Sequence, residues 1–187
     1  MHLAQYYQQF EDILSGSYTE APYHKEAYLE YVKLNRSRMK RWNKTGKILP
    51  ELEKVVNQVV APQHWLLITE PWCGDAANIT PFFEKVAGLN PNIKITVQNR
   101  DAENSEIEKY LTNGGKSIPK LIIRDENGND LAVWGPRPKD AQALFHKLRE
   151  ENASFEEQKV ALLTWYNKNK GLQIQEELIE ILGSINQ

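Results

Sequence analysis

Glu70-Pro71-Trp72-Cys73-Gly74-Asp75-Ala76 holds the only cysteine of the chain, and the stretch around it decides the fold. The apolar run His64-Trp65-Leu66-Leu67-Ile68-Thr69 leads in, and a helix-like run from Ala77 to Val86 leads out. That order reads as strand, tight turn and helix, with the thiol at the helix start. The first N–H groups of a helix have no internal partner, and the dipole there favours negative charge. Such a position stabilises a thiolate, the reactive form of cysteine.

Downstream, the pattern alternates. Residues 92–98 (Ile93, Ile95, Val97) read as a strand and 103–112 as a helix, which Asn113-Gly114-Gly115 breaks. Residues 119–124 form a third strand, and an Asn127-Gly128 turn returns the chain through 130–134 as an antiparallel hairpin. A helix over 138–150 follows. Upstream, apolar residues at helical spacing predict helices over 2–14, from Pro22 to about Lys44, and over 50–60, where Pro50 suits the first turn. Two further helices are expected over 155–168 and 172–183. The order from residue 50 to 150 implies a mixed sheet with helices on both faces.

Bulk composition narrows the function classes. A length of 187 residues suits one elaborated domain or at most two small ones, and 41% hydrophobic with 26% charged residues predicts a packed core. A net charge of −2 argues against bulk attraction to nucleic acid or membranes. The N-terminus lacks the basic start and apolar core of a signal peptide, and no apolar run approaches the ~20 residues that span a bilayer. One cysteine cannot form an internal disulfide, so the cytoplasm is the expected compartment. The four histidines show no metal-ligand spacing, so neither a metal nor a cofactor is expected.

The Trp72-Cys73-Gly74 turn resembles the redox motif of the thioredoxin family, Trp-Cys-Gly-Pro-Cys, with Asp75 in place of the proline and Ala76 in place of the second cysteine. Two landmarks extend the resemblance. Ser117-Ile118-Pro119-Lys120 resembles the segment in which thioredoxins carry a cis-proline beside the active-site cysteine, and Gly135 resembles the glycine next to their substrate groove. The resemblance implies an α/β thioredoxin-like fold, a mixed central sheet with helices on both faces, over residues 50–150. Helical extensions are expected over 1–49 and 151–187. It further implies Cys73 as nucleophile, with Trp72, Gly74, Asp75, Ile118, Pro119 and Gly135 binding the substrate.

The departures limit the chemistry. Without a second cysteine at position 76, a mixed disulfide at Cys73 needs an outside thiol to resolve it. Thioredoxins keep a buried aspartate six residues before the first cysteine, where this chain has Leu67. The favoured expectation is therefore single-cysteine thiol–disulfide exchange with protein or small-molecule thiols and disulfides. The alternatives are a non-catalytic peptide- or protein-binding module in the same groove, and a thiol peroxidase in which Cys73 cycles through sulfenic acid. Asp75 opposes the helix dipole at the sulfur, so a modestly activated thiol is expected. The segment 33–44 carries six basic residues and no acidic one, which reads as the cationic half of an exposed helix rather than a nucleic-acid surface. Tyr28, Trp42, Phe155, Trp165 and Tyr166 are expected to dock the flanking helices onto the central domain.

Overall fold

The computed structural model describes residues 1–185. Four strands, β1 (Gln63–Thr69), β2 (Ile93–Asn99), β3 (Lys120–Arg124) and β4 (Asp130–Trp134), form one mixed sheet in the order β2-β1-β3-β4. β1 runs parallel to β2 and antiparallel to β3, and the β3–β4 hairpin closes the edge. Three helices come first, α1 (Leu3–Ser15), α2 (Glu26–Thr45) and α3 (Pro50–Val56). α4 (Gly74–Leu89) crosses from β1 to β2, and α5 (Lys139–Glu150), α6 (Phe155–Asn169) and α7 (Leu172–Ile185) end the chain. No helix among the described residues is long and apolar enough to cross a membrane.

Successive side chains of a strand point to opposite faces, and β1 is apolar on both. Trp65 and Leu67 join Leu121, Ile123 and Trp134 in the main core, where α4 contributes Phe82, Phe83 and Val86. Each such fully buried side chain contributes roughly 1.5–3 kcal/mol of transfer free energy. The same core takes Tyr6, Phe10 and Ile13 from α1, Val32, Met39 and Trp42 from α2, and Ile174, Leu178 and Leu182 from α7. Trp42 Nε1 donates to Asn78 Oδ1 at 2.9 Å, and the Tyr7 hydroxyl donates to Glu84, so both leading helices are tied to α4. At the other end of the chain, a Cβ on Gly171 would fall 2.1 Å from the Phe82 ring, so only glycine lets α7 begin this close to α4.

The opposite face of the sheet holds Leu66, Ile68 and Ile122, covered by Ile107 and Tyr110. Here the structure corrects the expected 103–112 helix, because only one 3-10 turn, Ile107–Lys109, forms. Side chains take the backbone donors that a helix would need: Glu106 N–H goes to Gln98 Oε1 at 2.8 Å and Ile107 N–H to Ser105 Oγ at 3.3 Å. The Glu106 carboxylate is meanwhile held by both terminal nitrogens of Arg124, at 2.8 and 3.1 Å. Pro22 likewise does not open α2; it lies in a turn after a cis Ala21–Pro22 bond, and the helix starts at Glu26.

Candidate functional site at Cys73

Cys73 is the N-cap of α4, and its side chain lies at the junction of β1, α4 and the start of β3. Its Sγ accepts from Ala76 N–H at 3.5 Å and donates to the Ile118 carbonyl at 3.6 Å. The Ile118–Pro119 peptide bond is cis. Gly135 has φ +117, and a Cβ there would lie 2.2 Å from the Pro119 oxygen, so this close backbone approach requires glycine. Cys73, Ile118, Pro119 and Gly135 thus share one corner of the sheet.

The electrostatics of the thiol differ from the sequence expectation. Cys73 is 5% exposed. Burial, reinforced by the Asp75 carboxylate, pushes its pKa up to about 12, against weaker lowering by the Ala76 N–H and by Arg137. Desolvation outweighs the helix terminus, and the thiol is protonated at neutral pH. The helix-end effect is typically ~0.3–1 kcal/mol at an exposed site, rising to ~2 when partly buried, which is too small to reverse the burial of a whole charge.

Asp75 is not aimed at solvent. Its Oδ2 pairs with Arg137 at 2.7 Å, and its Oδ1 accepts from the Tyr166 hydroxyl at 2.9 Å. The two charged side chains are 12% and 15% exposed, and the Arg137 guanidinium also stacks 4.2 Å over Phe145. The motif is thereby bound to the β4–α5 turn and to α6. Tyr166 is expected to dock its helix onto the central domain, but nothing in the sequence pairs it or Arg137 with Asp75, since both are distant in the chain.

The rest of the motif is anchored on the opposite side. Trp72 lies edge-on to Tyr28 of α2, with ring centroids 5.9 Å apart, and under Arg100 at 4.8 Å. Asn35 of α2 donates to the Pro71 carbonyl at 2.9 Å and accepts from Arg38 at 2.6 Å. Glu70 is buried, accepting from the Tyr23 hydroxyl at 2.9 Å and from Asp101 N–H at 3.1 Å. Burial raises the Glu70 pKa despite these bonds. Its role is to hold the turn before α2 against the end of β2. Sequence reading also passed over Lys120, which is buried, donates to the Gly135 carbonyl at 3.1 Å and has its pKa lowered by burial.

Between these two anchors runs a cleft of about 1110 Å³ with Trp72, Cys73 and Ile118 on its floor. α2 forms one wall through Tyr28, Tyr31 and Arg38, and α5 with α6 forms the other through Phe145, Phe155 and Tyr166. Trp72, Gly74, Asp75 and Ile118, expected as contacts of one groove, all line it. Pro119 and Gly135 are not among its lining residues; they support it from behind through the close approach just described. A second cavity of about 760 Å³ lies beyond Glu70, between the 18–23 turn and β2, and is lined by His64, Glu70 and Asp101 among others but not by Cys73. No cluster of three metal-ligating carboxylate, imidazole or thiol groups occurs among the described residues.

A mixed four-stranded sheet, a cysteine capping the first crossover helix and a cis-proline opposite it define a thioredoxin-fold protein. The family model described as thioredoxin matches residues 21–153, and the chain belongs to that family. Two solved structures share the fold. A protein of unknown function from Pseudomonas aeruginosa is 15% identical, with a TM-score of 0.57 and 86% of each chain covered. An HIV epitope-scaffold is 14% identical, with a TM-score of 0.58, covering 98% of this chain and 99% of its own. That coverage takes in the terminal helices as well as the sheet. No curated protein matches the chain significantly.

Proposed function

We propose that this protein is a thioredoxin-fold binding module that seats an extended polypeptide segment in the cleft over Cys73, in a reducing cytoplasmic compartment. The observation that carries this reading is the placement of the thiol at the cleft floor. It is 5% exposed and donates to the Ile118 carbonyl, with no second sulfur three residues on, and burial raises its pKa. A protonated thiol is a poor nucleophile. What the site retains is shape: the Ile118 backbone just before β3, an aromatic floor in Trp72, and two helical walls. Binding there resembles strand addition, in which backbone hydrogen bonds provide affinity and side-chain pockets provide selectivity.

One observation favours the second reading, slow single-cysteine exchange. The Ala76 N–H already points at Sγ and would stabilise a thiolate once formed. Cys73 would then attack a disulfide, release one thiolate as the mixed disulfide forms, and be freed by a second attack from an external thiol. The rate of alkylation by iodoacetamide across pH 7–11 separates the two. The binding reading expects negligible modification at neutral pH and a rise only in the alkaline range. Rapid modification at pH 7, with a mixed disulfide forming from a small disulfide reagent, overturns it in favour of exchange.

A further inference from the structure

We propose that the Cys73 cleft selects acidic peptide segments, through a positive charge that its walls carry within a chain of net charge −2. This rests on the binding reading above and assigns its ligand class.

The cleft is lined by Arg38, Arg100, Lys116, Arg137, Arg149 and Lys159, against the single carboxylate of Asp75. Four of these cations already have anionic partners. Arg100 pairs with Asp101, Lys116 with Glu108, Arg137 with Asp75 and Lys159 with Glu156. Arg38 and Arg149 form no ion pair among the described residues, and they stand on opposite walls. Arg38 is partly buried; its bond to a side chain is to the neutral Asn35 amide, and its guanidinium lies 3.9 Å from where a Cβ on Gly74 would be. Removing a guanidinium from water without a counter-charge is unfavourable, and an acidic side chain seated in the cleft would offset that cost. Arg149 extends over Phe145 toward the cleft mouth.

The apolar lining indicates what accompanies the negative charge. Phe155, at the start of α6, is 68% exposed and offers aromatic surface to the cleft, whose facing wall carries the half-buried Tyr28 and Tyr31. Small-molecule sites commonly enclose about 300–1,000 Å³. At about 1110 Å³ this cleft is slightly larger, which suits several residues of extended chain, each advancing ~3.3 Å. The matching ligand is a segment that alternates acidic and aromatic or aliphatic side chains.

The test uses the full chain and three labelled peptides of about eight residues, alternating Phe with Glu, Gln or Lys, followed by fluorescence polarisation. The acidic peptide is expected to bind at least roughly tenfold more tightly than the neutral one, with an affinity that falls as salt rises. Arg38→Ala and the exposed Arg149→Ala are each expected to weaken it by about threefold to tenfold, while Lys54→Ala, outside the cleft, leaves it unchanged. Arg149→Ala keeps the test valid if Arg38→Ala fails to fold. Equal binding of all three peptides overturns the acidic preference and leaves the peptide cleft standing. Binding of none overturns both. Binding of a fluorescent ATP analogue where none of the three peptides binds overturns the peptide assignment in favour of a small anion.

Discussion

Asp75→Asn is the substitution that reads the site most directly. In the native chain the carboxylate has two effects of opposite sign on function: it disfavours a charge on Cys73, and it neutralises Arg137 at 2.7 Å while accepting from Tyr166 at 2.9 Å. Asparagine keeps an oxygen for Tyr166 and removes the charge. At a separation of roughly 6 Å and an effective dielectric of ~20, one unit charge is worth about 3 kcal/mol before screening, or about a hundredfold in thiolate population. After substitution the repulsion from position 75 is gone and the attraction of Arg137 remains, so both changes favour the thiolate. The Cys73 pKa is expected to fall from about 12 by roughly one to two pH units once screening is included. Alkylation at pH 9 would then accelerate about tenfold to a hundredfold, the gain shrinking with added salt. Stability moves the other way. Breaking a fully buried pair costs about 3–5 kcal/mol; the residual exposure here and the retained Tyr166 contact reduce that to about 2 kcal/mol, or a Tm lower by about 4–8 °C. The measurements are the pH profile of iodoacetamide modification and a thermal melt of the same two proteins. An unchanged or raised midpoint in the variant would refute the electrostatic account of the motif, and an unchanged Tm would refute the anchoring role of Asp75.

Tyr166→Phe removes one hydrogen bond between α6 and the motif and should cost about 1 kcal/mol in urea unfolding, with the alkylation profile shifted less than in Asp75→Asn. Ala76→Cys places a second sulfur beside Cys73, where Ala76 N already lies 3.5 Å from Sγ, and should yield an internal disulfide under a mild oxidant, seen as loss of both free thiols. Glu106, held by Arg124 and Lys109, has its pKa lowered to about 2, so the stability it contributes is present above its usual value near 4.5 and lost as pH falls toward 2. The unfolding free-energy gap between the native chain and Glu106→Gln should therefore be about 1 kcal/mol at pH 7 and close to zero at pH 2; a gap that does not vary with pH would show that the pair contributes nothing. Gly135→Ala forces a Cβ to 2.2 Å from the Pro119 oxygen at φ +117 and should give the largest loss of Tm in this set.

What was legible in the sequence followed from local rules. The strand into Trp72, the helix out of Gly74, the Asn127-Gly128 hairpin and Pro50 at the start of α3 each depend on a few adjacent residues, and the structure has all of them. The 103–112 segment misled because its helical period was real but short, while Gln98 and Arg124, one strand before and one after it, claim its polar groups. The thiol was misjudged for a related reason. A helix start is visible in sequence, and burial is not, because the side chains that cluster with Cys73 (Leu66, Ile68, Ile107, Ile118 and Ile122) come from three separate segments of the chain. The walls of the cleft explain the least thioredoxin-like residue of the motif. A carboxylate at position 75 in an open redox groove would only hinder a thiolate. Here it is the point where Arg137 and Tyr166 fasten the C-terminal wall, as Asn35 and Tyr28 fasten the N-terminal one to Pro71 and Trp72. The sulfur between these fastenings is 5% exposed and has no resolving cysteine three residues on, which disfavours its use as a nucleophile. Asp75, as an anchor of the C-terminal wall, and Ala76, as a position without a resolving thiol, both agree with the segment-holding site proposed above.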